Sequence, residues 1–143
     1  MKHADEVLAQ GVIDARLAAN RGIDLSEVAI ARAREGRAES QPQFHVSAEP
    51  FETFAAPAPF DVIVFNEVLY YPPLDSVPAL LRKARGLLRN TPESLLLVSM
   101  SQNPKAVLIW PLLRAFGHPL VQYRLSSGNS AMGWRIAAYG NRF

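Results

Sequence analysis

The chain has 143 residues, of which 49% are hydrophobic and 20% charged. That is enough apolar material for a core of single-domain size, and too little charge for wholesale disorder. The net charge of +2 is a small excess of arginine over acids and is only weak evidence for a nucleic-acid partner. The absence of cysteine excludes disulfides, a thiol nucleophile and a cysteine-based zinc centre.

The N-terminal residues MKHADEV lack the apolar core of a secretory signal. Residues 4–19 have a helical pattern, with Val7, Leu8, Val12 and Ile13 recurring near the helical period and Gly11 weakening it. RGIDLS reads as a strand end. Ser26 suits a helix N-cap and Glu27 the first turn, where negative charge is favoured. The pattern of EVAIARAREGRA predicts a helix with Ala29, Ile30 and Ala33 inward, the arginines in solvent, and Gly36 as its stop. PQFHVSA, 42–48, predicts a short strand, and FETFAAPAPF a proline-broken loop. DVIVF is an apolar, β-branched run without alternation, the pattern of a strand covered on both faces.

LDSVPALLRKARGLLRN predicts a helix. Asp75 is the candidate N-cap, Pro78 falls in the first turn, and Leu80, Leu81, Ala84, Leu87 and Leu88 form its apolar stripe. SLLLVSM, 94–100, is a second candidate for a fully buried strand. PKAVLIWPLLRAF predicts a short helix interrupted at Pro111. Its apolar stretch AVLIWPLL is shorter than the roughly 20 residues a membrane span needs, so a cytoplasmic chain with no membrane partner is expected. In the tail, Val121, Tyr123 and Leu125 alternate with polar residues, as do Met132, Trp134 and Ile136. The turn-forming SSGNS lies between them, which predicts an antiparallel hairpin with one face exposed. The histidines, His3, His45 and His118, are far apart and show no metal-ligand spacing.

Alternating strands and helices predict a mostly parallel α/β sheet with a C-terminal antiparallel hairpin. Ligands in such sheets bind beyond the carboxyl ends of the strands, which directs attention to Asp24, Ser47–Glu49, Asn66–Glu67 and Ser99–Asn103. Asp24 has the two acceptor oxygens that a ribose diol requires, and it equally suits capping of the helix that follows. Asn66 and Glu67 suit either the polar tail of a ligand or the end of a strand. Tyr70 and Tyr71 suit either a pocket wall or packing on the next helix.

Taken together, GIDLSEVAIARARE, FHVSAEPFETF, FDVIVFNEVLYY and LLLVSMSQNPKAVLIW resemble the class I S-adenosylmethionine-dependent methyltransferases, in particular small bacterial members, over about residues 20–138. The resemblance implies a Rossmann-like fold and S-adenosyl-L-methionine as cofactor. It implies cofactor contacts from Asp24 and Leu25 (ribose), from Ala48 and Glu49 (adenine, where the family usually has Asp), and from Asn66. It puts Glu67 forward as general base, Tyr70 and Tyr71 as the substrate wall, and a small molecule as methyl acceptor.

Two departures stand beside it. The family's first strand and its G-x-G-x-G loop have no counterpart, and RNTPES at 89–94 replaces the usual Pro-Gly-Gly turn. The expectation is therefore one methyltransferase-like domain over 1–143, N-terminally incomplete and lacking the first strand. Its exposed sheet edge offers a route to a homodimer. The alternative is a catalytically inactive remnant that needs a partner chain. A nucleic-acid role for Arg32, Arg34, Arg37, Arg82, Lys83, Arg85 and Arg89 ranks last, because the solvated faces of two helices account for them.

Overall fold

The computed structural model describes residues 19–36, 44–126, 128 and 133–141. The predicted helix over 4–19 therefore falls outside the described residues except for Ala19, as do three of the five residues of SSGNS and Arg37. The chain forms two compact units, Met1–Phe54 and Ala55–Phe143.

In the first unit, β1 (Asn20–Asp24) and β2 (Phe44–Ala48) pair in parallel, in register from Asn20 with Phe44 to Asp24 with Ala48. A Cβ on Gly22 would lie 3.0 Å from Val46 Cγ1, so this pair is close where glycine stands. Between the strands runs α1 (Glu27–Glu35). Ser26 is its N-cap, and its hydroxyl accepts from the Ala29 amide at 3.2 Å, which satisfies one of the open N–H groups of the first turn. Gly36 is the C-cap and donates to the Arg32 carbonyl at 3.0 Å. Ile30 is buried, while Ala29 and Ala33 are half-buried. Arg34 donates from Nη2 to the Val46 carbonyl at 3.1 Å and ties the helix to β2.

The second unit holds a four-stranded sheet in the order β3 (Val62–Asn66), β4 (Leu95–Ser101), β6 (Gly133–Gly140), β5 (Val121–Ser126). β3 and β4 are parallel, and the other two pairs are antiparallel. A parallel pair needs a crossover. Here it is a 3-10 turn (Leu74–Ser76) followed by α2 (Val77–Leu87). Between β4 and β5 lie α3 (Pro104–Ile109) and a 3-10 segment (Trp110–Phe116). The change of helix type falls just before Pro111, as expected, because proline has no N–H for the Val107 carbonyl. Asn103 caps α3, accepting from the Ala106 amide at 2.8 Å.

Three expectations need correction. β3 and β4 are not covered on both faces. Ile63 and Phe65 are buried while Val62 and Val64 are 43% and 56% exposed, and along β4 the wholly buried Leu96, Val98 and Met100 alternate with half-buried residues. The register puts Ile63, Phe65, Leu96 and Val98 on the same face as Tyr139. Tyr139 meets Phe116 of the 3-10 segment at 6.4 Å, and Arg85 of α2 lies over that same Phe116 ring. In this unit the described helical segments thus cover that one face. β-branched residues favour the strand backbone whether or not both faces are covered, so the unbroken run overstated the burial.

The hairpin is also more open than expected. Every residue of β5, an outer strand of the sheet among the described residues, is exposed, on both faces. Finally, Asp75 does not cap α2. It lies in the 3-10 turn, and Ser76 takes the N-cap position without a side-chain cap bond. Ser76 Oγ instead donates to the Pro73 carbonyl at 2.7 Å. The stripe itself stands as read, with Leu80, Leu81, Ala84 and Leu88 buried and Leu87 half-buried.

Candidate active site

Parallel pairing brings four of the predicted residues together at the carboxyl ends of β1 and β2. Asp24 and Ala48 are register partners, and the Glu49 amide donates to the Asp24 carbonyl at 3.1 Å. Asp24 Oδ1 accepts from the Ser26 amide at 2.7 Å. The capping role is thus real, and it uses one carboxylate oxygen. Oδ2 accepts no hydrogen bond among the described residues, and the side chain is exposed. Leu25 is 73% exposed and Ala48 is exposed. Glu49 is held differently: its Oε1 accepts from the Ser47 hydroxyl at 2.5 Å. That bond fixes the carboxylate beside the strand end.

The second group stands at the end of β3. Asn66 closes the strand opposite Ser99 and is exposed. Glu67 follows at φ 55°, a left-handed conformation that costs a residue with a Cβ about 1–2 kcal/mol. Its amide donates to the Ser99 carbonyl at 2.8 Å, which holds this turn against β4. The turn directs the Glu67 carboxylate inward. Oε2 accepts from the Tyr70 hydroxyl at 2.7 Å, and Oε1 is buried with no hydrogen-bond partner among the described residues. Burial first, and then the bond to Glu67, push the Tyr70 phenol up to about 12, against a smaller opposing bond with Ser101. Tyr71 packs on Tyr70 at 5.0 Å between ring centroids and is 74% exposed.

A strained residue carrying an unpaired buried carboxylate oxygen at a strand end is the pattern of a functional site. Sequence reasoning named Asn66, Glu67, Tyr70 and Tyr71, and the structure brings all four together. It gave no role to Ser101. Ser101 stood within the Ser99–Asn103 strand end, but nothing in the sequence shows that β3 and β4 are neighbours in the register that sets it beside Tyr70.

The sequence model of a family described as "Methyltransferase domain" matches residues 8–91, more than half of the chain. The chain belongs to that methyltransferase family. Its solved relatives agree in fold. The N-methyltransferase NodS from Bradyrhizobium japonicum WM9 is 19% identical with a TM-score of 0.72, over 86% of this chain and 73% of that one. In its complex with S-adenosyl-L-homocysteine, 66% of the NodS chain is covered. The Burkholderia thailandensis 1,6-didemethyltoxoflavin-N1-methyltransferase, solved with its substrate and S-adenosylhomocysteine, is 18% identical with a TM-score of 0.64, over 84% of this chain and 60% of that one. The magnesium protoporphyrin IX methyltransferase of Synechocystis PCC 6803, solved with S-adenosylmethionine, is 16% identical with a TM-score of 0.64, over 95% and 77%. No curated protein sequence matches the chain. No helix among the described residues of this chain is long and apolar enough to cross a membrane.

Proposed function

We propose that the chain is an S-adenosylmethionine-dependent methyltransferase that methylates a small molecule, and that both units belong to one such domain. The observation that carries the reading is Glu67: a left-handed backbone aims a carboxylate whose Oε1 is buried without a partner, beside Tyr70. A buried acceptor of this kind costs about 1–3 kcal/mol while unpaired, and an N–H or O–H of a bound molecule relieves that cost. The residues present fit the cofactor as well, since Asp24 keeps Oδ2 open at a strand end for a ribose hydroxyl.

When bound, S-adenosylmethionine supplies an electrophilic methyl group on a sulfonium. The work left to the chain is positioning and desolvation. Asp24 and Leu25 would hold the ribose, Ala48 and Glu49 would flank the adenine, and Asn66 would offer its amide to the methionine end. Glu67 Oε1 would accept the proton that the acceptor's nucleophile gives up as its bond to methyl forms and the methyl–sulfur bond breaks, S-adenosylhomocysteine being the leaving group. Tyr70 donates to Oε2 and so fixes the carboxylate, and Tyr71 forms the wall of the acceptor site. The outer strand β3 pairs with a second copy of the chain.

The test is incubation of the purified chain with methyl-labelled S-adenosylmethionine and a fractionated small-molecule extract. The expected result is label in small molecules, lost in Glu67→Gln while S-adenosylhomocysteine still binds. Label confined to macromolecules, or full turnover by Glu67→Gln, would overturn the assignment.

A further inference from the structure

A cleft of about 1200 Å³ in the second unit opens between the α3–3-10 segment and strands β5 and β6. Among the described residues its lining includes Arg114, Arg124 and Arg135 and no Asp or Glu. Arg124 and Arg135 are direct register partners across the antiparallel β5–β6 pair. Like charges placed opposite each other in such a pair are destabilising, so the hairpin carries a cost that an anion between them would remove.

Arg135 is the better-built of the two. Its guanidinium lies 4.2 Å from the centroid of the Trp110 ring, and its Nη2 donates to Gln122 Oε1 at 2.5 Å. Its Nε is buried and has no acceptor among the described residues. Burial holds this guanidinium below its ordinary pKa against the opposing influence of Tyr139, and the charge of Arg124 acts in the same direction as burial. A buried cationic donor with a free N–H is costly alone and strongly favourable with an oxyanion, whose lone pairs match the guanidinium fork. Around these cations the cleft is lined by Val107, Pro111 and Trp110, surfaces suited to the carbon body of an organic ligand.

We propose that this cleft binds a small organic anion, its carboxylate or phosphate group held by Arg135, Arg124 and Arg114 and its body laid against Val107, Pro111 and Trp110. None of Asn66, Glu67, Tyr70 and Tyr71 lines the cleft, and the proposal stands or falls independently of the methyltransferase reading.

The chain has two tryptophans, and Trp110 lies directly under Arg135, so tryptophan fluorescence reports on the cleft. The full chain is titrated with citrate and, separately, with pyrophosphate, at ionic strength held constant with sodium chloride. Arg124→Gln and Arg135→Gln are compared with Arg82→Gln, which removes an exposed charge on α2. Because Arg135 is packed on Trp110, the exposed Arg124 keeps the test valid even where Arg135→Gln fails to fold. The expected result is a saturable response to at least one probe, unchanged in Arg82→Gln and weakened about tenfold or more in Arg124→Gln. A response to citrate alone assigns a carboxylate ligand, and a response to pyrophosphate alone a phosphate ligand. No saturable response to either probe, or equal weakening in Arg82→Gln and Arg124→Gln, would overturn the site.

Discussion

Replacing Asp24 separates two jobs that one carboxylate performs. Oδ1 accepts from the Ser26 amide at 2.7 Å at an exposed position, so Asp24→Ala removes a solvent-exposed bond worth about 0.5–1.5 kcal/mol to folding. Asp24→Asn keeps an amide oxygen for that bond and should leave stability within about 0.5 kcal/mol of the parent. Cofactor binding responds differently. The open Oδ2 and the negative charge serve the ribose diol, and a hydrogen bond to a charged group is worth about 1.5–3 kcal/mol. Both variants should therefore bind S-adenosylhomocysteine about 10- to 100-fold more weakly. The assay is calorimetric titration paired with thermal unfolding of the same samples. Unchanged affinity in Asp24→Asn would refute the ribose role and leave Asp24 as a capping residue alone.

Other consequences are equally direct. The Tyr70 phenol is raised from its ordinary 10 to about 12, so its protonated contact with Glu67 contributes its full stability below pH 10, and that contribution is lost as pH rises through 12. Ultraviolet titration of Glu67→Gln should show Tyr70 ionising earlier than in the parent, yet still above 10 because burial remains; an unchanged curve would contradict the contact. Leu113 is wholly buried, and Leu113→Ala should cost about 2–5 kcal/mol in denaturant unfolding, against no more than about 0.5 for Val107→Ala on the exposed side of α3. A lysine at Val64, on the outer strand β3, should shift the chain from dimer to monomer in light scattering; a parent that is monomeric under the same conditions would remove that proposal.

Much of this fold was legible because local chemistry and tertiary placement agree. The Ser26 cap, the Ile30 face and the Gly36 stop of α1 follow from residues within one helix. The break at Pro111 follows from a missing N–H. What escaped the sequence depends on partners far along the chain. Coverage of Val62 and Val64 depends on which face of the sheet the helical segments pack against and not on the run VIVFN. The exposure of β5 on both faces is likewise set by what packs on it and not by its own pattern. Asp75 lost the cap position because a 3-10 turn precedes α2, a choice that nothing in LDSVP declares. At the site, the residue types at the strand ends pointed to Asp24, Glu49, Asn66 and Glu67. The left-handed backbone of Glu67 and its orphaned oxygen emerge only once the turn is held by the Ser99 carbonyl. The arginines at 124 and 135 were read as the polar positions of an alternating hairpin. Only the register makes them face each other.

The most direct test of the account is calorimetric titration of the full chain with S-adenosylhomocysteine. The account predicts saturable one-to-one binding near micromolar, with the Asp24 and Glu49 strand ends intact and no G-x-G-x-G loop in the sequence. A folded sample that gives no heat of binding would contradict it, and would favour a remnant that acquires a cofactor site only with a partner chain.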